Sequence, residues 1–197
     1  ALSSAASDVY KRQGSDRLRE ALYCSTMTRY VWPEDVFVHK PAFLITIDTE
    51  GDNLWQKHDS ITTENARYLP RFQQLCEKYG FKPVWLTNYE MAIDPVYIEF
   101  AKDAIARGTA EIGMHLHAWN SPPTDPLTDD DWRHKPYLIE YSDAAMRAKV
   151  DYMTRLLEET FQTKMVSHRA GRWAFDERYA RLLMEYGYLV DCSVTPR

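Results

Sequence analysis

Ten residues set the terms for this chain. Phe43 to Asp52 reads FLITIDTEGD, in which mostly apolar residues run into a carboxylate, skip one position and meet a second. An apolar run of this length predicts a strand buried on both faces, as in a parallel sheet covered by helices. Charge does not belong in the middle of such a strand. It is at home at the carboxyl end, where barrels and open α/β sheets place their chemistry. Side chains two apart on a strand point the same way, so Asp48 and Glu50 are predicted to share one mouth.

Past this point strand and helix signals alternate. Gly51 to Ser60 reads as a polar loop carrying Asn53, Trp55 and His58. A helix is predicted from Pro70, suited to the first turn, to Tyr79, with Phe72, Leu75, Cys76 and Tyr79 on its apolar face and Gly80 as its stop. Lys82 to Thr87 is the next strand, and Asp94-Pro95 and Gly108 bracket the next helix. Ala110 to His115 forms a third strand and runs into His117 and Trp119. The stretch from Asn120 to Tyr137 predicts a long functional loop. Ser142 caps a helix to Phe161 with Met146, Val150, Met153 and Leu157 as its stripe. Met165 to His168 is a short strand, Asp176 caps a helix to Tyr186, and Tyr188 to Cys192 is a fifth strand. The class is α/β with a parallel sheet.

Composition narrows the partners. Lys and Arg total 24 against 29 Asp and Glu, which argues against a nucleic acid or an anionic membrane. Aromatics are 13% of residues, many in polar segments after strands, and that suits a carbohydrate or another flat-faced ligand. Cys24, Cys76 and Cys192 are scattered and support neither a disulfide framework nor a thiolate metal site. No apolar run approaches the roughly 20 residues a membrane-spanning helix needs. Residues 1–13 resemble a translated adapter scar and are set aside as a non-native leader. Residues 14–40 read as an irregular lead-in with a turn at Trp32-Pro33, and 41–197 as the folded domain. The compartment is left open, with the cytoplasm favoured.

Two strand ends carry the same device, Asp48-x-Glu50 after the first strand and His115-x-His117 after the third. Two imidazoles and a carboxylate around one open position is the make-up of a hydrolytic zinc site. A remaining carboxylate can then serve as general base. His39, His58 and His134 are predicted to be solvated, and Asp129-Asp130-Asp131 to be a solvated loop face.

These residues resemble the NodB-type polysaccharide deacetylases (carbohydrate esterase family four), in a divergent WalW-like subgroup. The resemblance covers roughly Ala42 to Thr195. Thr46-Ile-Asp48 is similar to the family's first motif, Glu111-Ile-Gly-x-His115 to its second, and Arg169 within His168–Trp173 to its third. It implies a distorted (β/α) barrel of about seven strands, of which five are counted here, and metal-dependent removal of an N- or O-acetyl group from a sugar. It also implies roles: Asp48 as the base that deprotonates the attacking water, His115 as a metal ligand, Arg169 as the group holding the base. Trp173, with Trp55 and Trp119, would wall the substrate groove.

The sequence departs from the family pattern in three places. Thr49 stands where a second Asp is usual, so Glu50 becomes the expected ligand, ahead of Asp52. Trp119 stands where the second histidine is usual, so His117 replaces it. No late histidine is present to act as general acid, which is expected beyond Arg197; the piece is expected to fold poorly alone, with an open edge at its last strand. Two rivals keep the site, a hydrolase of another amide such as a cyclic ureide and a catalytically silent glycan-binding module.

Overall fold

The computed structural model describes residues 43–56 and 60–194. The leader, the lead-in with its turn, Cys24, His39 and His58 lie outside the described residues. Strand β1 is Thr46–Thr49, β2 Val84–Thr87, β3 Glu111–Leu116, β4 Ser167–Ala170 and β5 Val190–Asp191. They pair in the order β1-β2-β3-β4-β5, every neighbour parallel. A doubly wound sheet reverses direction partway, whereas this order advances one strand at a time in the manner of a (β/α) barrel. All five carboxyl ends therefore open on one rim.

The connections are helical. Helix α1 is Leu69–Lys78, α2 Tyr89–Ala92, α3 Pro95–Ala106, α4 Asp131–His134, α5 Asp143–Phe161 and α6 Glu177–Glu185. Three of the expected caps are made. Asp94 accepts from Tyr97 N at 2.7 Å, Ser142 from Ala145 N at 3.2 Å and Asp176 from Tyr179 N at 2.9 Å. Each satisfies an otherwise orphaned N–H and contributes about 1 kcal/mol. Gly108 and Gly187 follow α3 and α6 with φ of 65° and 86°, a left-handed backbone that ends a helix.

The core lies between the sheet and α3, α5 and α6. Trp85, Ile112, Met114 and Leu116 on the strands meet Tyr97, Ala101, Met146, Val150, Met153, Leu157 and Tyr179. The α5 stripe is as the spacing predicts.

Three expectations need correction. β1 begins at Thr46 rather than Phe43, and Phe43 and Leu44 are 71% and 79% exposed. With β2 as its sole partner among the described residues, β1 is an edge strand, only half-buried instead of covered on both faces. In α1 the buried residues are Gln73 and Cys76, while Phe72, Leu75 and Tyr79 are exposed. Gln73 earns its place by hydrogen bonding, since it accepts from Trp85 Nε1 at 3.0 Å and donates to the Thr109 carbonyl at 3.0 Å. The long loop also has structure of its own. Asp129 and Asp130 are exposed as expected, Asp130 also capping α4, whereas the half-buried Asp131 departs from a solvated face and organises the loop by accepting from Leu127 N, Thr128 N and Tyr141 Oη at 2.7–2.9 Å.

Candidate metal centre

Glu50 is the first residue past β1, His115 lies within β3 and His117 just beyond it. Parallel neighbours put these ends on one rim, and the side chains converge. Glu50 Oε2 lies 2.9 Å from His117 Nε2 and 3.6 Å from His115 Nε2. One donor atom from each of the three residues lies within 4.8 Å of the others. The pairing of alternate residues predicted for both strand ends is what the geometry has.

The hydrogen bonds around this group settle which atoms face inward. His115 is opposite Arg169 in the β3–β4 register, and its Nδ1 is 2.8 Å from the Arg169 carbonyl. A carbonyl only accepts, so Nδ1 carries the proton and Nε2 presents its lone pair toward Glu50, the outer-ligand arrangement that metal-binding histidines favour. Trp55 Nε1 donates to Glu50 Oε1 at 2.5 Å, and Asn65 Nδ2 to the Glu50 carbonyl at 2.8 Å. Burial alone would raise the Glu50 carboxyl, but His115 beside it and the hydrogen bonds from His117 and Trp55 outweigh it and hold the group well below the carboxylate range. His115 is lowered by burial, and Glu50, Asp48 and the Arg169 carbonyl more than reverse that, so its affinity for a proton is raised. In His117 burial wins, against the bond to Glu50, and brings it down to about 4. The Nδ1 atom of His117 is buried without a partner. Its other flank is the bare backbone of Gly171, where a Cβ would come within 2.6 Å of that nitrogen.

Asp48 stands beside the group, its Oδ2 3.9 Å from His115 Nε2. Its other oxygen accepts from Arg169 Nη1 at 2.5 Å, and Arg169 is itself fixed by Thr46 Oγ1 at 2.5 Å and the Cys192 carbonyl at 3.0 Å. Asp48 and Arg169 thus form the charge-assisted pair expected of them. Asp52 turns away from the cluster: it accepts from Thr62 Oγ1 and, at 3.1 Å, from Asn65 N.

The five converging residues Asp48, Glu50, Trp55, His115 and His117 line a cavity of about 490 Å³, completed by Tyr137, Arg172 and Trp173. Trp55 and Trp173, 46% and 57% exposed, offer aromatic faces there. Trp119 corrects the expectation of a third. It is 6% exposed and packs behind His117, ring centroids 4.4 Å apart, outside that cavity lining. The reason is local: β3 ends at Leu116, and the Asn120 and Ser121 N–H groups turn back onto the His117 carbonyl, so strand alternation stops before Trp119. His134 lies on exposed α4, away from the cluster and 3.4 Å from Asp129.

Glu90 escaped the sequence reading. Its carboxylate, 6% exposed, accepts from Gly51 N at 2.6 Å and Asn120 Nδ2 at 2.5 Å. It therefore ties the loop after β1 to the loop after β3. Burial pushes its carboxyl up against those two bonds. The available signal was a carboxylate shortly after the β2 run, at Asn88-Tyr89-Glu90, the same placement as Glu50. Tyr137 and Arg172 were also missed, since nothing local to the sequence brings the long loop onto the β4 rim.

Two imidazoles and a carboxylate whose donor atoms converge fit a divalent cation of the zinc type, which would take the place of the proton His117 Nε2 donates to Glu50, with His117 lacking the outer hydrogen-bond partner that His115 has.

No family model matches the sequence, and no curated protein does. Solved structures do. A CE4 family pseudoenzyme from Bacillus anthracis is 14% identical over 75% of this chain, with a TM-score of 0.51 and 41% of its own length covered. A mutant of that protein with restored enzymatic activity is 16% identical over the same share, at TM-score 0.51 and 43% of its length. A protein described as a polysaccharide deacetylase from Mycobacterium smegmatis is 18% identical over 75% of the chain, at TM-score 0.54 and 49% of its length. The chain spans less than half the length of each. What the likeness establishes is the fold, an α/β fold with a parallel sheet of the CE4 deacetylase type.

Proposed function

We propose that this chain carries the hydrolytic site of a metal-dependent deacetylase, which removes an acetyl group from an N- or O-acetylated sugar of a polysaccharide. The observation that carries the proposal is the convergence of Glu50, His115 and His117 beside an Asp48 already held by Arg169. Glu50 and the two histidines would hold the cation, zinc by the chemistry of the donor set. A cation there supplies Lewis acidity, which makes water acidic and polarises the carbonyl under attack. Asp48 accepts the proton of the attacking water, and Arg169 keeps its carboxylate aimed. Trp55 fixes Glu50 while offering its exposed face to a pyranose ring, and Trp173 offers another. Likeness to CE4 folds supports the acetylated saccharide as substrate.

The test is acetate release from an N-acetylglucosamine oligomer with zinc, with and without a chelator. No acetate under any metal condition would remove the hydrolytic reading. A second reading, a silent glycan-binding module, is favoured by Thr49 at the position of a usual acidic residue and by a pseudoenzyme among the similar structures. It predicts saccharide binding unchanged by the chelator.

A further inference from the structure

The wall of the cavity carries a charge that the hydrolytic reading leaves unused. Arg172 is exposed and lines the same cavity as the candidate ligands. One guanidinium N–H donates to the Lys135 carbonyl at 2.5 Å, and the guanidinium carbon lies 4.0 Å from the Tyr137 ring centroid. Those two contacts fix the plane of the fork. Among the described residues it has no ion-pair partner, and most of its donors face no acceptor. The acids of the cavity are already engaged, Asp48 by Arg169 and Glu50 by His117 and Trp55. Arg172 is therefore an uncompensated cation on a chain whose net charge is −5.

The backbone places it there against preference. Arg172 and Trp173 have φ of 56° and 55°, two successive non-glycine residues in the left-handed region. Strain of this kind gathers where a side chain must point somewhere particular. Here it sets a guanidinium and an indole side by side on one wall.

We propose that Arg172 selects a saccharide bearing a carboxylate next to the acylated sugar, as in a polymer that alternates amino sugars with uronic acids. The proposal rests on the carbohydrate reading above. A carboxylate meets a guanidinium fork through two parallel N–H···O bonds, a match of shape as well as charge. A neutral sugar stacks on Trp173 and leaves the fork unfilled.

Two tetrasaccharides separate the cases: one alternating glucuronic acid with N-acetylglucosamine, the other N-acetylglucosamine throughout. Titration calorimetry on the zinc-loaded chain reads the ratio of their dissociation constants, with acetate release followed in parallel. The expected ratio is roughly tenfold in favour of the uronate, falling below about twofold in Arg172→Gln and to roughly threefold in Arg172→Lys, which keeps the charge but loses the fork. Should Arg172→Gln fail to melt cooperatively, Arg172→Lys carries the test by itself. A ratio near one in the parent chain, or an undiminished ratio in the folded variants, overturns the proposal. Charge-selective binding without acetate release removes the hydrolytic reading and leaves this one standing. Equal binding of both with acetate released removes this one alone, and binding of neither removes both.

Discussion

His117 meets Glu50 at 2.9 Å, and His168 meets Asp191 at 2.8 Å. On distance the two pairs are twins, but their surroundings are opposite. The His168 ring is fully buried and both its nitrogens are engaged, Nδ1 with Asp191 and Nε2 with Tyr179 Oη at 2.7 Å. Asp191 also accepts from Ser193 N at 2.9 Å and Ser193 Oγ at 2.7 Å, and that hydroxyl accepts from Ala170 N at 2.8 Å. This network has no capacity left for a ligand. What it does is fasten β5 to β4, beside the Cys192 carbonyl that steadies Arg169. At the rim, by contrast, Glu50 faces two imidazoles, and His115 Nε2, 3.6 Å away, lies beyond hydrogen-bond reach of it. A pair marks a site when it has bonding capacity left over.

Four experiments press on that contrast, beginning with the largest expected effect. His115→Ala should lower zinc affinity by more than about 100-fold, whereas His168→Phe should leave zinc stoichiometry intact. Equal metal loss in both would erase the distinction. Asp48→Asn should cut acetate release by roughly 10²- to 10⁴-fold while zinc stays bound, as atomic absorption of the dialysed protein would show. Retained turnover would mean that another group takes the proton. For His168→Phe the loss should fall on stability, on the order of 3 kcal/mol in urea unfolding, because Asp191 and Tyr179 are left buried without their partner.

The smallest effect comes from another buried group. Lys149 is 1% exposed, and its Nζ donates to the Ser121 and Pro123 carbonyls at 2.8 and 2.6 Å. Burial lowers it to about 8 from its ordinary 10.5, with Asp125 and Asp131 opposing. In the unfolded chain the amine keeps its proton to the higher value, so between those two pH values the unfolded state holds more protons. Raising pH through that window therefore favours the folded state. The gain should be on the order of 2 kcal/mol, and Lys149→Met should flatten it. A stability curve that falls from pH 8 upward in the parent and not in the variant would contradict the assignment.

The fold was legible where chemistry is local. Asp94, Ser142 and Asp176 announce their helices because a cap satisfies N–H groups three residues away. The candidate ligands were legible for the same kind of reason, since alternation on a strand is a two-residue rule and needs no tertiary knowledge. Glu90 was not, because α2 is four residues long and shows no period. Trp119 misled, since its place on the groove wall was taken from the resemblance, and the backbone turns back onto the His117 carbonyl before reaching the cavity. Phe43 and Leu44 misled too: an apolar run reports a strand's taste for burial, while the number of neighbours on each side decides whether it is granted. The place of Arg172 and Tyr137 depends on two loops meeting across the rim, which no window of sequence contains.

Gly171 leaves the imidazole of His117 wedged where its neighbour His115 is tethered. On its Nδ1 side that ring is limited by room, where a polar partner limits His115, while its Nε2 still answers to Glu50 at 2.9 Å. The girth of a single methyl at position 171 would press on the ring and on the Leu116 carbonyl without altering one charge.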